Sequence, residues 1–153
     1  MTEATVRYRV WPPVAIVGPL LGGLMLTAQW GDPIALGDRR TPLGWALVLF
    51  FLGWNGWALW LFARHRTALL PGQATNAIIE DGPFRVSRNP LYVGLLALYL
   101  GLAALVPTVW GLLLFPAAVL LLLWGAIQPE ERYLRERFGA AYEAYAKRVR
   151  RWL

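Results

Sequence analysis

The chain has 153 residues, enough for one domain, and 58% of them are hydrophobic against 16% charged, which is more apolar than an ordinary soluble domain. A formal charge of +6 does not argue for nucleic acid, because the basic residues flank apolar runs and form no basic, aromatic reading surface. The lack of cysteine excludes disulfides, thiolate nucleophiles and thiolate-bound metal, and no other metal centre is expected.

The first apolar run covers about residues 13–30 and the second about 43–62, each close to the ~20 residues that carry a helix across ~30 Å of hydrocarbon. Arg7 and Arg9 ahead of the first run also fit a signal peptide, but no small-residue cleavage site follows and a second span does, so a retained span is expected. Gly18 and Gly22 form a GxxxG pair, and Gly53, Gly56, Gly94 and Gly101 also lie in apolar runs, a pattern that predicts close helix packing. Asn55, in the middle of the second run, is expected either to hydrogen-bond across helices or to line a ligand's path. Trp11, Trp30, Trp45, Trp60 and Trp110 sit near the ends of spans, where indole rings favour the lipid–water boundary.

Residues 63–90 turn polar, with Arg64, His65, Arg66, Glu80, Asp81, Arg85 and Arg88 among glycines and prolines, and read as an ordered loop. His65, the one histidine, is expected at the surface. Residues 91–127 carry no charge over 37 positions, too many for one span, and Pro107 with Thr108 predicts a turn between spans at 91–106 and 108–127. The tail at 129–151 places Leu134, Phe138, Tyr142, Tyr145 and Val149 at helical spacing under a basic face and should lie along the membrane surface. Gly139 within it implies a bend or a close backbone approach. The fold class expected is an all-α integral membrane protein of about four transmembrane helices plus a C-terminal amphipathic interfacial helix. Of the 15 basic residues, 13 fall in the N-terminus, the 63–90 loop and the tail after Ile127, so both termini and that loop are expected in the cytoplasm.

No span contains Asp, Glu, Lys, Arg or His, which speaks against an ion-coupled transporter. The polar groups that could do chemistry gather at 82–94 and 129–139, on either side of the hairpin, whose antiparallel packing should bring Arg88, Asn89 and Tyr92 to Glu130 and Glu131. Taken singly, Arg85 and Arg88 read as positive-inside anchors, Pro90 as a helix-start residue and the two glutamates as helix N-terminal acids. Tyr142 and Tyr145 read as packing residues. Their conjunction is what suggests a site.

The segments RNPLYVG at 88–94, EERYL at 130–134 and FGAAYEAYAKRVR at 138–150 resemble the isoprenylcysteine carboxyl methyltransferase and phospholipid methyltransferase superfamily of membrane enzymes. That superfamily carries R-H-P-x-Y-x-G before a hairpin, then E-E-x-x-L, F-G-x-x-Y-x-x-Y and a basic V-x-R. The likeness runs over residues 80–151, and the first two spans share only their apolar character. It implies S-adenosylmethionine as methyl donor, S-adenosylhomocysteine as product and a lipophilic or amphiphilic acceptor arriving from the bilayer. It implies Arg88 and Glu131 as catalytic residues and Arg88, Asn89, Pro90, Tyr92, Gly94, Glu130 and Glu131 as the cofactor site. On this reading the glutamates pair with the donor's ammonium, Arg88 grips a carboxylate and Tyr92 faces the sulfonium. Asn89 stands where the superfamily has histidine; it can bind but cannot act as a base near neutral pH, which favours a carboxylate, amine or thiol acceptor over an alcohol. The competing readings are a non-catalytic four-helix membrane protein or small transporter and a sterol-reductase-like enzyme using a nicotinamide.

Overall fold

The computed structural model describes residues 6–34, 40–66, 77–106 and 108–153, and among them the only regular elements are helices. The first helix, α1, spans Pro12–Trp30, started by two prolines whose missing amides lie where no helix partner exists. Gly31, at φ +71, closes it with its N–H on the Thr27 carbonyl, a backbone angle that favours glycine. Helix α2 spans Arg40–Arg64. Both helices are long and apolar enough to cross a membrane, and only 17% of each apolar stretch is buried inside the protein. Met25, Trp30, Leu49 and Leu52 are among the large side chains they leave exposed, so this is a lipid-suited surface rather than that of a core helix in a water-soluble domain.

Helix α3 (Pro90–Leu105) forms the first arm of the expected hairpin. At 16 residues it is about 24 Å long, short of a full span. The second arm is broken into α4 (Val109–Leu113) and α5 (Phe115–Leu122), followed by a π-helical turn at Leu123–Ile127. Pro116 explains the break, since it cannot donate to the carbonyl four residues earlier. Among the described residues, two helices, not four, therefore meet the length for crossing a membrane. Pro107, expected at the turn, lies outside the described residues; the flanking Thr108 caps α4 by accepting the Gly111 N–H at 2.9 Å. Asp32 accepts the Val109 N–H at 2.8 Å and Trp110 donates to the Gly31 carbonyl at 2.9 Å, which ties the end of α1 to the hairpin's far end.

The glycine expectations divide. A methyl at Gly101 would meet the Gly44 carbonyl at 3.0 Å, so that position does serve close packing; at Gly22 it would make only an ordinary contact with Leu114 at 3.5 Å, and at Gly18, Gly53 and Gly56 it would meet nothing within 4 Å, whereas Gly23, which is not among the expected positions, packs so closely on Gly111 that a methyl would meet it at 2.5 Å. Gly94 lies directly against the Asn55 carboxamide. Asn55 donates to the Leu91 carbonyl at 3.2 Å, beside Trp54, which donates to the Pro90 carbonyl at 2.9 Å. Of its two expected roles, Asn55 thus takes the cross-helix bond, and α2 and α3 form the most extensive helix pair among the described residues.

Beyond the π-turn, α6 (Gln128–Phe138) continues without a break, the residues at the junctions holding helical angles. Glu130 and Glu131 are therefore not at the start of a new helix, contrary to their reading, taken singly, as helix N-terminal acids. The tail is not one helix along the membrane either. Gly139, at φ +51, stops α6, and α7 (Ala140–Arg148) folds back, with Arg135 and Glu143 paired across the bend at 3.0 Å. The bend, and not a close approach, is what this glycine serves, because a methyl there would meet nothing within 4 Å.

Candidate active site

The fold-back of α7 builds the site. Ahead of α3, a short 3-10 turn at Gly82–Arg85 leads into Ser87, Arg88 and Asn89, and the last residues of the chain lie alongside. The Arg88 N–H donates to the Arg150 carbonyl at 2.9 Å, while Ser87 Oγ and Asn89 Nδ2 each donate to the Arg151 carbonyl at 3.1 Å. Tyr145 of α7 donates to the Phe84 carbonyl at 2.7 Å, and Arg148 pairs with Glu80 at 2.6 Å. Ser87 is fully buried and accepts the Asn89 N–H at 3.1 Å, so one hydroxyl organises the corner from which α3 departs.

The two glutamates at the hairpin mouth occupy different surroundings. Glu131 is 2% exposed and sits among three guanidinium groups. Arg151 holds it with two parallel bonds of 2.9 Å, Arg88 approaches to 3.6 Å and Arg135 to 3.7 Å. Burial acts to raise its pKa, but the Arg151 hydrogen bonds and the charges of Arg88, Arg151 and Arg135 outweigh that and hold it below the ordinary 4.5. Glu130 is partly exposed and accepts the Tyr92 hydroxyl at 2.7 Å. Its pKa is raised, chiefly by burial and further by the Glu131 charge, against which the Tyr92 bond acts. An approaching cation would relieve that cost.

A cavity of about 370 Å³ opens here, bordered by Tyr8, Trp11, Arg88, Tyr92, Glu130 and Tyr142. Its size falls within the ~300–1,000 Å³ usual for small-molecule sites. The Arg88 Nε is buried with no hydrogen-bond partner, which is costly unless a ligand supplies an acceptor. Asn89 and Pro90 also border the cavity; Glu131 and Gly94 do not. Of the expected site residues, then, Arg88, Asn89, Pro90, Tyr92 and Glu130 converge on one cavity. Glu131 stands behind it as the anchor of Arg88, and Gly94 belongs to the α2–α3 contact. His65, exposed as expected, lies 3.4 Å from Asp81 and does not border the cavity. Tyr142 and Tyr145, expected only to pack, are buried and also line it.

Sequence reasoning missed Ser87, Arg151 and Tyr8. Ser87 and Arg151 had a signal in hindsight, being a small polar residue before the NP corner and the last of a basic run. Tyr8 had none in the three motifs.

Fold and site together define a helical protein with two apolar helices of membrane-crossing length and, at one end of a hairpin, a largely apolar cavity with a few charged and polar groups on its wall. The model of the phospholipid methyltransferase family matches residues 40–141, and the chain belongs to that family of methyltransferases. The match starts at the head of α2, so the second helix belongs to the shared region as well, whereas α1 and the residues before it lie outside. No curated protein and no solved structure matches the chain.

Proposed function

We propose that the protein transfers a methyl group from S-adenosylmethionine to a lipophilic or amphiphilic acceptor at the membrane surface. The observation that carries this reading is the pairing, on one cavity wall, of an Arg88 guanidinium with an orphaned Nε and a Glu130 carboxylate with a raised pKa. A zwitterionic amino-acid group fits such a wall, its carboxylate on Arg88 and its ammonium on Glu130. The donor, when bound, supplies an activated methyl on a sulfonium. The chain's part is to hold and enclose. Glu131 fixes the Arg88 head, Tyr92 orients the Glu130 carboxylate, and the aromatic rings of Trp11, Tyr142 and Tyr145 exclude water, so that catalysis rests on positioning. Asn89, committed to the Arg151 carbonyl, acts in shaping the corner and not as a base. An acceptor that is already nucleophilic, such as a carboxylate, amine or thiol, suits a wall without a histidine.

S-adenosylhomocysteine tests the reading. At a hundredfold excess over its Kd it should stabilise the detergent-solubilised chain by about 2.7 kcal/mol, several degrees in Tm, whereas NADPH should not. No shift at millimolar ligand would end the proposal.

The same reading places the hairpin, as well as α1 and α2, in the bilayer, with both termini and the cavity on the cytoplasmic side, the side favoured by 13 of the 15 basic residues. Because the chain has no cysteine, single substitutions report sidedness directly. A cysteine at Glu143 should react with an impermeant maleimide only from the cytoplasmic side and one at Pro33 only from the other; the reverse pattern would overturn the orientation.

A further inference from the structure

Residues 6–10, ahead of α1 and outside the family match, lie against the cavity rather than away from it. The cause is a local defect in the rod that carries the glutamates. Pro129 has no N–H to give the Gly125 carbonyl, the acceptor four residues earlier. The rod widens there into its π-turn, and the Gly125 carbonyl accepts two amides from the N-terminal segment, Arg9 N–H at 2.8 Å and Val10 N–H at 3.2 Å. The approach is close enough that a methyl on Gly125 would fall 2.5 Å from the Val10 Cβ. The Arg9 guanidinium caps the same docking, 5.1 Å from the centre of the Trp124 ring.

This docking sets Tyr8 on the wall of the cavity that Tyr92 and Glu130 also border, packed against the main core cluster. Tyr92 spends its one proton on Glu130, which fixes the carboxylate on the wall that Tyr8 shares. The Tyr8 oxygen, on the same cavity wall as the Glu130 carboxylate, has lone pairs that can accept from a donor on the ligand. Burial first, then the Glu130 charge, keeps Tyr8 protonated.

We infer that Tyr8 is a binding residue for the ammonium end of the methyl donor, brought to the cavity by the docking of residues 6–10 on the Gly125 carbonyl. The inference rests on the donor reading above and adds a residue that the family's shared region does not contain.

Calorimetry on the full chain with two probes tests it: S-adenosylhomocysteine, which carries the amino-acid end, and 5′-methylthioadenosine, which carries the nucleoside without it. Tyr8→Phe should weaken S-adenosylhomocysteine about tenfold, as expected for one hydrogen bond to a charged group, and leave 5′-methylthioadenosine unchanged. Gly125→Ala, which dislodges the segment without touching the cavity, should show the same selective loss. Equal weakening of both probes by Tyr8→Phe would mean that the tyrosine acts through packing, and no weakening that it does not meet the ligand; either overturns the inference. Wild-type affinity in Gly125→Ala would remove the docking from it. Failure of the unaltered chain to bind S-adenosylhomocysteine would bring down the donor reading, and the inference with it.

Discussion

Glu131→Gln should destabilise the protein by about 3–5 kcal/mol, the cost of removing one partner from a buried ion cluster, and should lower Tm by roughly 10 °C on the scale of a chain of this size. The carboxylate is 2% exposed and faces Arg151, Arg88 and Arg135 at 2.9, 3.6 and 3.7 Å. Its neutral amide would leave the Arg88 side chain, itself 11% exposed, with a buried charge and, among the described residues, no other carboxylate at ion-pair distance. Binding of S-adenosylhomocysteine should fall with stability, because Arg88 loses the group that fixes it. The pH dependence has a definite sign. The folded carboxyl titrates below the ordinary 4.5, so its contribution is full above that pH and is lost as pH falls through the folded value. The wild type should therefore lose stability on acidification below about 4.5 more steeply than the glutamine variant, which thermal melts between pH 3 and 7 would read out. An unchanged Tm at pH 7 would show that the cluster is not what holds the corner.

The juxtaposition of the NPxY corner with the twin glutamates was legible in the sequence because a hairpin leaves little freedom: two helices joined by a short turn must return to the same end. So were the apolar lengths of α1 and α2, which depend on composition alone. What stayed hidden depends on partners far along the chain. EERYL reads as two equivalent acids, and nothing local says that Arg151 claims Glu131 while Glu130 turns to Tyr92. Gly94 looks like part of the motif's chemistry until Asn55, on another helix, is seen filling its place. The interruptions of the last arm were written in Pro116 and Pro129, but hydropathy averages over them, and the run of 91–127 passed for two whole spans. Val149 and the residues after it read as the end of the amphipathic stripe, but the last helix stops at Arg148. Their role lies in backbone carbonyls, which carry no sequence signal.

Those carbonyls make the second large effect. Deleting residues 149–153 should abolish ligand binding while leaving most of the helix intact, since the helices α1 to α6 do not need the tail to form. The deletion removes the acceptors of the Arg88 N–H, Ser87 Oγ and Asn89 Nδ2, at 2.9, 3.1 and 3.1 Å, and with them both 2.9 Å bonds from Arg151 to Glu131. Ser87 and Asn89 are 0% and 6% exposed, so in place they would be left with unmet polar groups at about 1–3 kcal/mol each. The corner can escape that cost only by rearranging, which moves Arg88 off the cavity. Arg151→Ala separates the two contributions: it keeps the carbonyls and removes only the guanidinium, which is partly solvated at 37% exposure and leaves Glu131 with Arg88 and Arg135. Its loss of affinity should be small beside that of the deletion. Equal losses would put the tail's whole effect in the one ion pair, and circular dichroism showing collapse of the helices in the deleted chain would make the tail a folding element instead of the wall of a site.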